Sequence, residues 1–318
     1  MGSFFCCDIT DSAGGINDFI DLNDALEIFK IIMPKQSPYP LIRVGGSQDG
    51  SYLIPNDLSG IGYCLSPGVN NFKHFEDELS SNFGITCDMY DASSDADKLS
   101  TPLIVGKQTF EKKWLDIEGK PDSISIKQWL REKRSQDSRD CLLQMDIEGA
   151  EYRNLLHTTD DDLSRFRIIV IELHKLAVGF TRPRVFNRVI KPFLQKLDRQ
   201  FICVHAHPNN VLGAYTPPTL NIAMPRILEL TFLRKDRFND VNTSQIVSLP
   251  HPLDITNVPG KSPLHLSSAW LNSPRNFHSR ALIVKDWLIY FQYHSKNKDF
   301  SKLVAAQAKK AIKDMVSL

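Results

Sequence analysis

Between residues 141 and 151 an apolar run (CLLQM) stops abruptly in three carboxylates, Asp146, Glu148 and Glu151, set around a single glycine, Gly149. A short apolar run of this kind reads as a buried parallel strand. Open α/β sheets bind their ligands just beyond the carboxyl ends of such strands. Acids crowded there are costly unless a cation, a metal or a hydrogen-bond donor meets them. Strand alternation would send Asp146 and Glu148 to different faces. Glu151 falls in a first helical turn, where the helix dipole favours an acid whatever the function. Two further segments carry chemistry of the same kind. Glu172 and His174 lie two apart on an apolar β-branched run, so their side chains share a face. His207, Asn209 and Asn210 follow another short strand. Asp146, Glu172 and His174 together make a donor set suited to a divalent metal. Alternatively, His174 or His207 acts as a general base with Asp146 beside it.

The elements that would position these groups alternate strand and helix. Strands are expected at 61–65, 85–90, 141–146, 167–174, 201–204 and 227–233, with a further one near Leu103. Helices are expected at 72–83, 125–133, 149–156 and 184–198, the first with Phe72, Phe75, Leu79 and Phe83 on one face and the last with Val185, Val189, Phe193 and Leu197. This alternation implies a mostly parallel sheet with helices on both faces. Its active edge would collect residues 66–71, Asp91, 146–151, 172–174 and 205–210. Residues 1–40 read as a leader with one amphipathic helix over Leu22–Ile32, residues 41–240 as the main domain, and residues 241–318 as a proline-rich loop followed by helix. Asp49 and Gly50 sit in a glycine-rich turn that reads as structural.

The loop SPGVNN at 66–71 joins the first of these strands to its helix. Gly68 permits close backbone approach, and the helix start offers free N–H groups. The loop is not GxGxxG, which argues against a cradled pyrophosphate. Asp91 ends the next strand, about twenty residues on, where a carboxylate can accept the hydroxyls of a ribose. Loop and acid together fit a nucleoside ligand without a long phosphate tail, and S-adenosylmethionine better than NAD. Ser66, Gly68, Asn70, Asp91 and Asp146 are the expected cofactor contacts.

Of 318 residues, 42% are hydrophobic and 24% charged, and the net charge of +1 gives no sign of a nucleic-acid surface. No apolar run reaches membrane-span length and no secretory signal is visible, so a cytoplasmic protein is expected. The six cysteines show no CxxC or zinc spacing and read as reduced thiols. Gly2, Cys6 and Cys7 would allow acylation and peripheral membrane attachment, although position six lacks the usual Ser or Thr.

The segment LLQMDIEGAEY at 142–152 resembles the signature of the FkbM family of S-adenosylmethionine-dependent methyltransferases. RVGG at 43–46 with Asp49-Gly50, SPGV at 66–69, Phe75-Glu76, DAS at 91–93, IELH at 171–174, HPNN at 207–210 and ELTF at 229–232 with Arg234 are similar to members of that group. The resemblance spans roughly residues 41–240. It implies a class I methyltransferase, a Rossmann-like fold whose seven-stranded sheet has its last strand antiparallel, consistent with a pair at 201–204 and 227–233. It also implies a cofactor loop at Ser66–Asn71, a ribose acid at Asp91, and methylation of a hydroxyl on a small molecule or glycan. Only Gly68 represents the glycines usual in that loop. An NAD-dependent oxidoreductase and an inactive cofactor-binding module are the alternatives, separable by a thermal-shift panel of cofactors and by a transfer assay.

Overall fold

The computed structural model describes residues 20–134, 137–238 and 247–271. Gly2, Cys6, Cys7 and the helix expected towards the carboxyl end lie outside the described residues. An antiparallel hairpin, β1 (Leu41–Val44) and β2 (Tyr52–Pro55), precedes the main sheet. The sheet is built from β3 (Ile61–Pro67), β4 (Thr86–Tyr90), β5 (Gln108–Glu111), β6 (Asp140–Met145), β7 (Phe166–His174), β8 (Phe201–Pro208) and β9 (Ile227–Arg234). Its order is β8-β9-β7-β6-β3-β4-β5. β9 runs antiparallel to both of its neighbours, and the other pairs are parallel. The chain works outward from β3 to β5 and then crosses back to β6. The order therefore reverses between β3 and β6, and at such a point a crevice opens at the strand ends.

The continuous apolar run of β7 is explained by burial on both sides. Ile169, Ile171 and Leu173 enter one core while Ile168 and Val170 enter the other. The first core receives the helices Leu22–Ile31, Ile126–Arg134, Glu151–His157 and Lys191–Gln200 through residues such as Phe29, Trp129, Leu155 and Phe193. The second is closed by the helix His74–Asn82 and, where further helices were expected, by the β1–β2 hairpin, which contributes Val44, Tyr52 and Ile54. Thr231 on β9 donates to the Leu53 carbonyl at 2.7 Å, fixing the hairpin across the sheet.

Three elements differ from expectation. No strand forms at Leu103, where the chain turns, and pairing begins at Gln108, whose side-chain oxygen accepts the Ile104 N–H. The helix expected over 184–198 begins with one α turn at Pro183–Val185 and passes through a π turn at Phe186–Ile190 before the regular helix Lys191–Gln200. Pro192 has no N–H to give to the preceding turn, which accounts for the break. The strand expected at 201–204 continues to Pro208 past a bulge between Cys203 and His205, so His205 and His207 belong to the sheet.

The expected leader and the segment after 241 meet on the same core. Phe29 packs edge-on against Trp270 at 4.8 Å, and Trp270 donates to the Ala223 carbonyl at 3.2 Å. Cys64, Cys87, Cys141 and Cys203 are buried free thiols. No helix among the described residues is long and apolar enough to cross a membrane. Replacing Trp270 with alanine is expected to cost about 3–5 kcal/mol by emptying this contact, measurable by urea denaturation.

Candidate active site

The strand ends at the reversal are laced by backbone. Gly68 N–H donates to the Tyr90 carbonyl at 2.9 Å, and Asp146 N–H to the Pro67 carbonyl at 3.3 Å. Gly68 has φ +85°, and a Cβ there would fall 1.7 Å from the Asp146 carbonyl oxygen. Glycine is required at this position by the close approach of β3 to β6. The φ values of Glu148 (+57°) and Gly149 (+106°) then turn the chain sharply after β6. Extended geometry ends before Glu148, so the expected opposition of Asp146 and Glu148 does not occur. Ligand atoms of Asp146, Glu148 and His174 lie within 4.8 Å of one another.

His174 is the hub. Its Nε2 is 3.4 Å from a Glu148 oxygen and 3.6 Å from a Glu172 oxygen, and its Nδ1 is 3.5 Å from Glu151. Glu151 starts its helix as expected and accepts the Ile147 N–H at 2.9 Å, but it is fully buried and faces the same ring. Burial disfavours the His174 cation, yet Glu151, Asp146 and Glu148 outweigh it and raise its pKa. Burial pushes the Asp146 carboxyl up to about 7, with His174 opposing and Glu151 and Glu148 adding to the rise. The Asp146 Oδ1 is buried without a hydrogen-bond partner.

A second acidic group adjoins the first. Glu172 and Glu229 face each other across β7 and β9, and with Asp49 their oxygens also lie within 4.8 Å. Burial, then Asp146 and Glu229, raises Glu172 well above its ordinary value, and burial lifts Glu229 to about 7. Glu172 thus joins the two groups rather than completing a trio with Asp146 and His174 alone. Asp49 and Glu229 lacked any local signal of a site: one sits in a polar turn and the other in an antiparallel strand. Their place in the resemblance was the available hint.

His207 is occupied by the segment 247–271. Its Nε2 is 3.1 Å from Asn257 Oδ1 and its Nδ1 is 3.3 Å from Asp254. Asp254 also lies 3.0 Å from His205. The Asn257 amide donates to Asp49 at 2.9 Å and to Glu229 at 2.5 Å. Asn210 exchanges hydrogen bonds with the Val258 backbone, and Asn209 accepts from Val211 N–H. The HPNN segment therefore holds a strap whose Asn257 reaches the acidic group.

At the other side of the crevice, Asp91 follows β4. Its carboxylate accepts the Asn70 N–H at 2.8 Å and both the N–H and hydroxyl of Ser93. Burial resists ionisation, but these donors prevail and its pKa is lowered. The Asn71 side-chain oxygen is buried nearby without a partner. Ser66 turns inward, with its hydroxyl against Glu76 and Gln144. An anionic Asp91, an unmatched acceptor and an open loop suit a nucleoside with hydroxyl and amino donors. Asp146, Glu148 and His174 have the donor set of a cation site, as do Asp49, Glu172 and Glu229.

Residues 62–201 match the family model described as the methyltransferase FkbM domain. That stretch includes Gly68, Asp91, Asp146, Glu172 and His174, and ends before His207, Glu229 and the strap. No curated protein matches the chain.

Gly68→Ala is expected to force β3 and β6 apart and lower the melting temperature by several degrees. Glu229→Gln keeps the acceptor for Asn257 but removes the proton equilibrium. A raised carboxyl pKa contributes stability that is present below about pH 4 and lost as pH rises towards about 7. The glutamine variant should therefore melt above wild type near pH 8, with the difference vanishing near pH 4, by calorimetry.

Proposed function

We propose that the protein is an S-adenosylmethionine-dependent methyltransferase acting on a hydroxyl. The observation that carries this reading is the placement of two unlike sites across one sheet reversal, the Gly68–Asp91 cradle on one side and the Asp146–His174 group on the other. Gly68 and the Asp146 backbone are in contact there, so ligands held on the two sides would meet. A Rossmann-like class I methyltransferase would place its strands in the order seen here, with the last antiparallel.

S-adenosylmethionine supplies an electrophilic methyl on a sulfonium, which leaves with both electrons of the C–S bond as a neutral thioether. Asp91 would accept ribose hydroxyls, and Asn70 and Gly68 would line the approach. Asp146 would hold the acceptor hydroxyl so that its oxygen faces the methyl. His174 would take the hydroxyl proton as the new C–O bond forms. His174 suits this role better than His207, whose two nitrogens face Asn257 and Asp254. A ring made more basic by the carboxylates around it is suited to accepting that proton.

A metal-assisted variant has one observation in its favour, the clustering of Asp146, Glu148 and His174. A divalent cation there would supply the charge that lowers the pKa of a hydroxyl. Loss of turnover on chelation and recovery with Mg²⁺ or Mn²⁺ would establish it; proton transfer to His174 alone predicts turnover unaffected by chelation.

His174→Gln is expected to lower kcat by about 10²–10⁴-fold while calorimetry shows unchanged binding of S-adenosylhomocysteine. Asp91→Ala should weaken that binding by about tenfold or more, as removal of a charged hydrogen-bond acceptor does. Full-strength binding by Asp91→Ala would overturn the cofactor assignment.

A further inference from the structure

Immediately beyond His174 lies a cavity that neither acidic group uses. Its volume is about 220 Å³, and its walls include Tyr152, Val178, Gly179, Val185, Val189 and Ile190. It meets the candidate site through the backbone of His174. Lys175, the residue after His174, forms part of its rim, and the Tyr152 hydroxyl donates to the His174 carbonyl at 2.9 Å. The surrounding backbone departs from regular structure in several places. Lys175 is left-handed at φ +60°. The π turn Phe186–Ile190 brings both Val189 and Ile190 to the wall, and such turns recur at functional sites. A Cβ on Gly179 would come 2.3 Å from Ile190 Cγ1, so the wall is closed tightly on that side.

The lining decides the kind of occupant. A sugar carries hydroxyls all round, each needing a partner once dehydrated. This cavity offers them a floor of valine, isoleucine and glycine, and its one tyrosine hydroxyl, whose proton goes to the His174 carbonyl, can only accept. An apolar body loses nothing by entering. The volume exceeds the roughly 150 Å³ of a cavity that takes benzene, so a substituted ring or a medium acyl chain fits. The charges at the edge are cationic, Lys175 and Arg182, opposite in sign to the acids around His174. An occupant carrying both a hydroxyl and an anionic end is thereby oriented, with its hydroxyl towards His174 and its anion towards Arg182.

We infer that this cavity receives the apolar body of the methyl acceptor, and that the acceptor is a hydroxylated aryl or acyl carboxylate and not a glycan. The inference rests on the methyl-transfer reading. In the reaction the acceptor oxygen bonds to the methyl carbon, the C–S bonding pair stays with sulfur, and the hydroxyl proton passes to His174.

Octanoate, octanol and methyl glucopyranoside serve as probes of the full-length protein by calorimetry, with S-adenosylhomocysteine titrated in parallel. Octanoate should bind about tenfold or more tightly than octanol, the charged contact making the difference, and the glucoside should not bind. Val189→Trp, which fills the cavity, should abolish octanoate binding. Arg182→Ala should bring octanoate down to the level of octanol. Both variants should bind S-adenosylhomocysteine as wild type does, which also certifies their fold. Glucoside binding overturns the inference, as does octanoate binding that both substitutions leave intact, or no octanoate binding by protein that holds S-adenosylhomocysteine. A wild-type protein that binds octanoate with this pattern but never S-adenosylhomocysteine defeats the methyl-transfer reading, and with it the acceptor role, leaving an apolar-acid site.

Discussion

The contact between Gly68 and the Asp146 carbonyl is the constraint on which the site depends. At this point β3 and β6 are close enough to exclude even a methyl group. Everything after each strand inherits that closeness. The loop 68–71 must turn away with left-handed residues at Asn70 and Asn71, and the β6 end must turn at Glu148 and Gly149. The first turn delivers the Asn70 N–H to Asp91, and the second folds Glu148 back onto His174. Close packing of two backbones thus sets the spacing between two sets of functional side chains.

The two edges of the sheet treat charge in opposite ways. At the far edge Asp140 is met by Arg167 at 2.7 Å and Arg234 at 2.8 Å, and Asp57 by Arg237 at 2.7 Å. These pairs are hydrogen-bonded and tie β6, β7 and β9 together. At the near edge the acids face one another, and among the described residues none of Asp146, Glu172 and Glu229 is in an ion pair with arginine or lysine. Burial outweighs the histidines and Arg43 nearby and leaves these groups holding protons well above the usual carboxylate range. Such an arrangement costs stability that a simple structural edge would not forgo, which is why it reads as function.

Much of this was legible in the chain because the informative residues sit next to unambiguous strands. The run before Asp146 and the β-branched run before His174 locate both strand ends, and Asp91 follows from its distance beyond the SPGVNN loop. Glu148 was misplaced because strand alternation was carried past the end of β6 at Met145 into the turn. Asp49 and Asn257 carried no local signal for a different reason. Each reaches the site through a loop whose path is set by tertiary contacts, the hairpin on β9 and the strap on His207, and no local period encodes such a path. The strand through His207 was cut short because a bulge interrupts its pattern at Val204.

Asn257 has one further property that follows from its chemistry. An amide does not titrate, so its donor and acceptor ends keep their identities at every pH. With its nitrogen given to Asp49 and Glu229, its oxygen must face His207, and the ring must present a proton from Nε2. The network therefore has a fixed polarity, running from His207 through the strap into the acids. Nδ1, beside Asp254, is left as the ring position where a proton can come and go. The proton exchange of His207 is thereby confined to the side facing Asp254, while Glu229 acts on the ring through its charge alone.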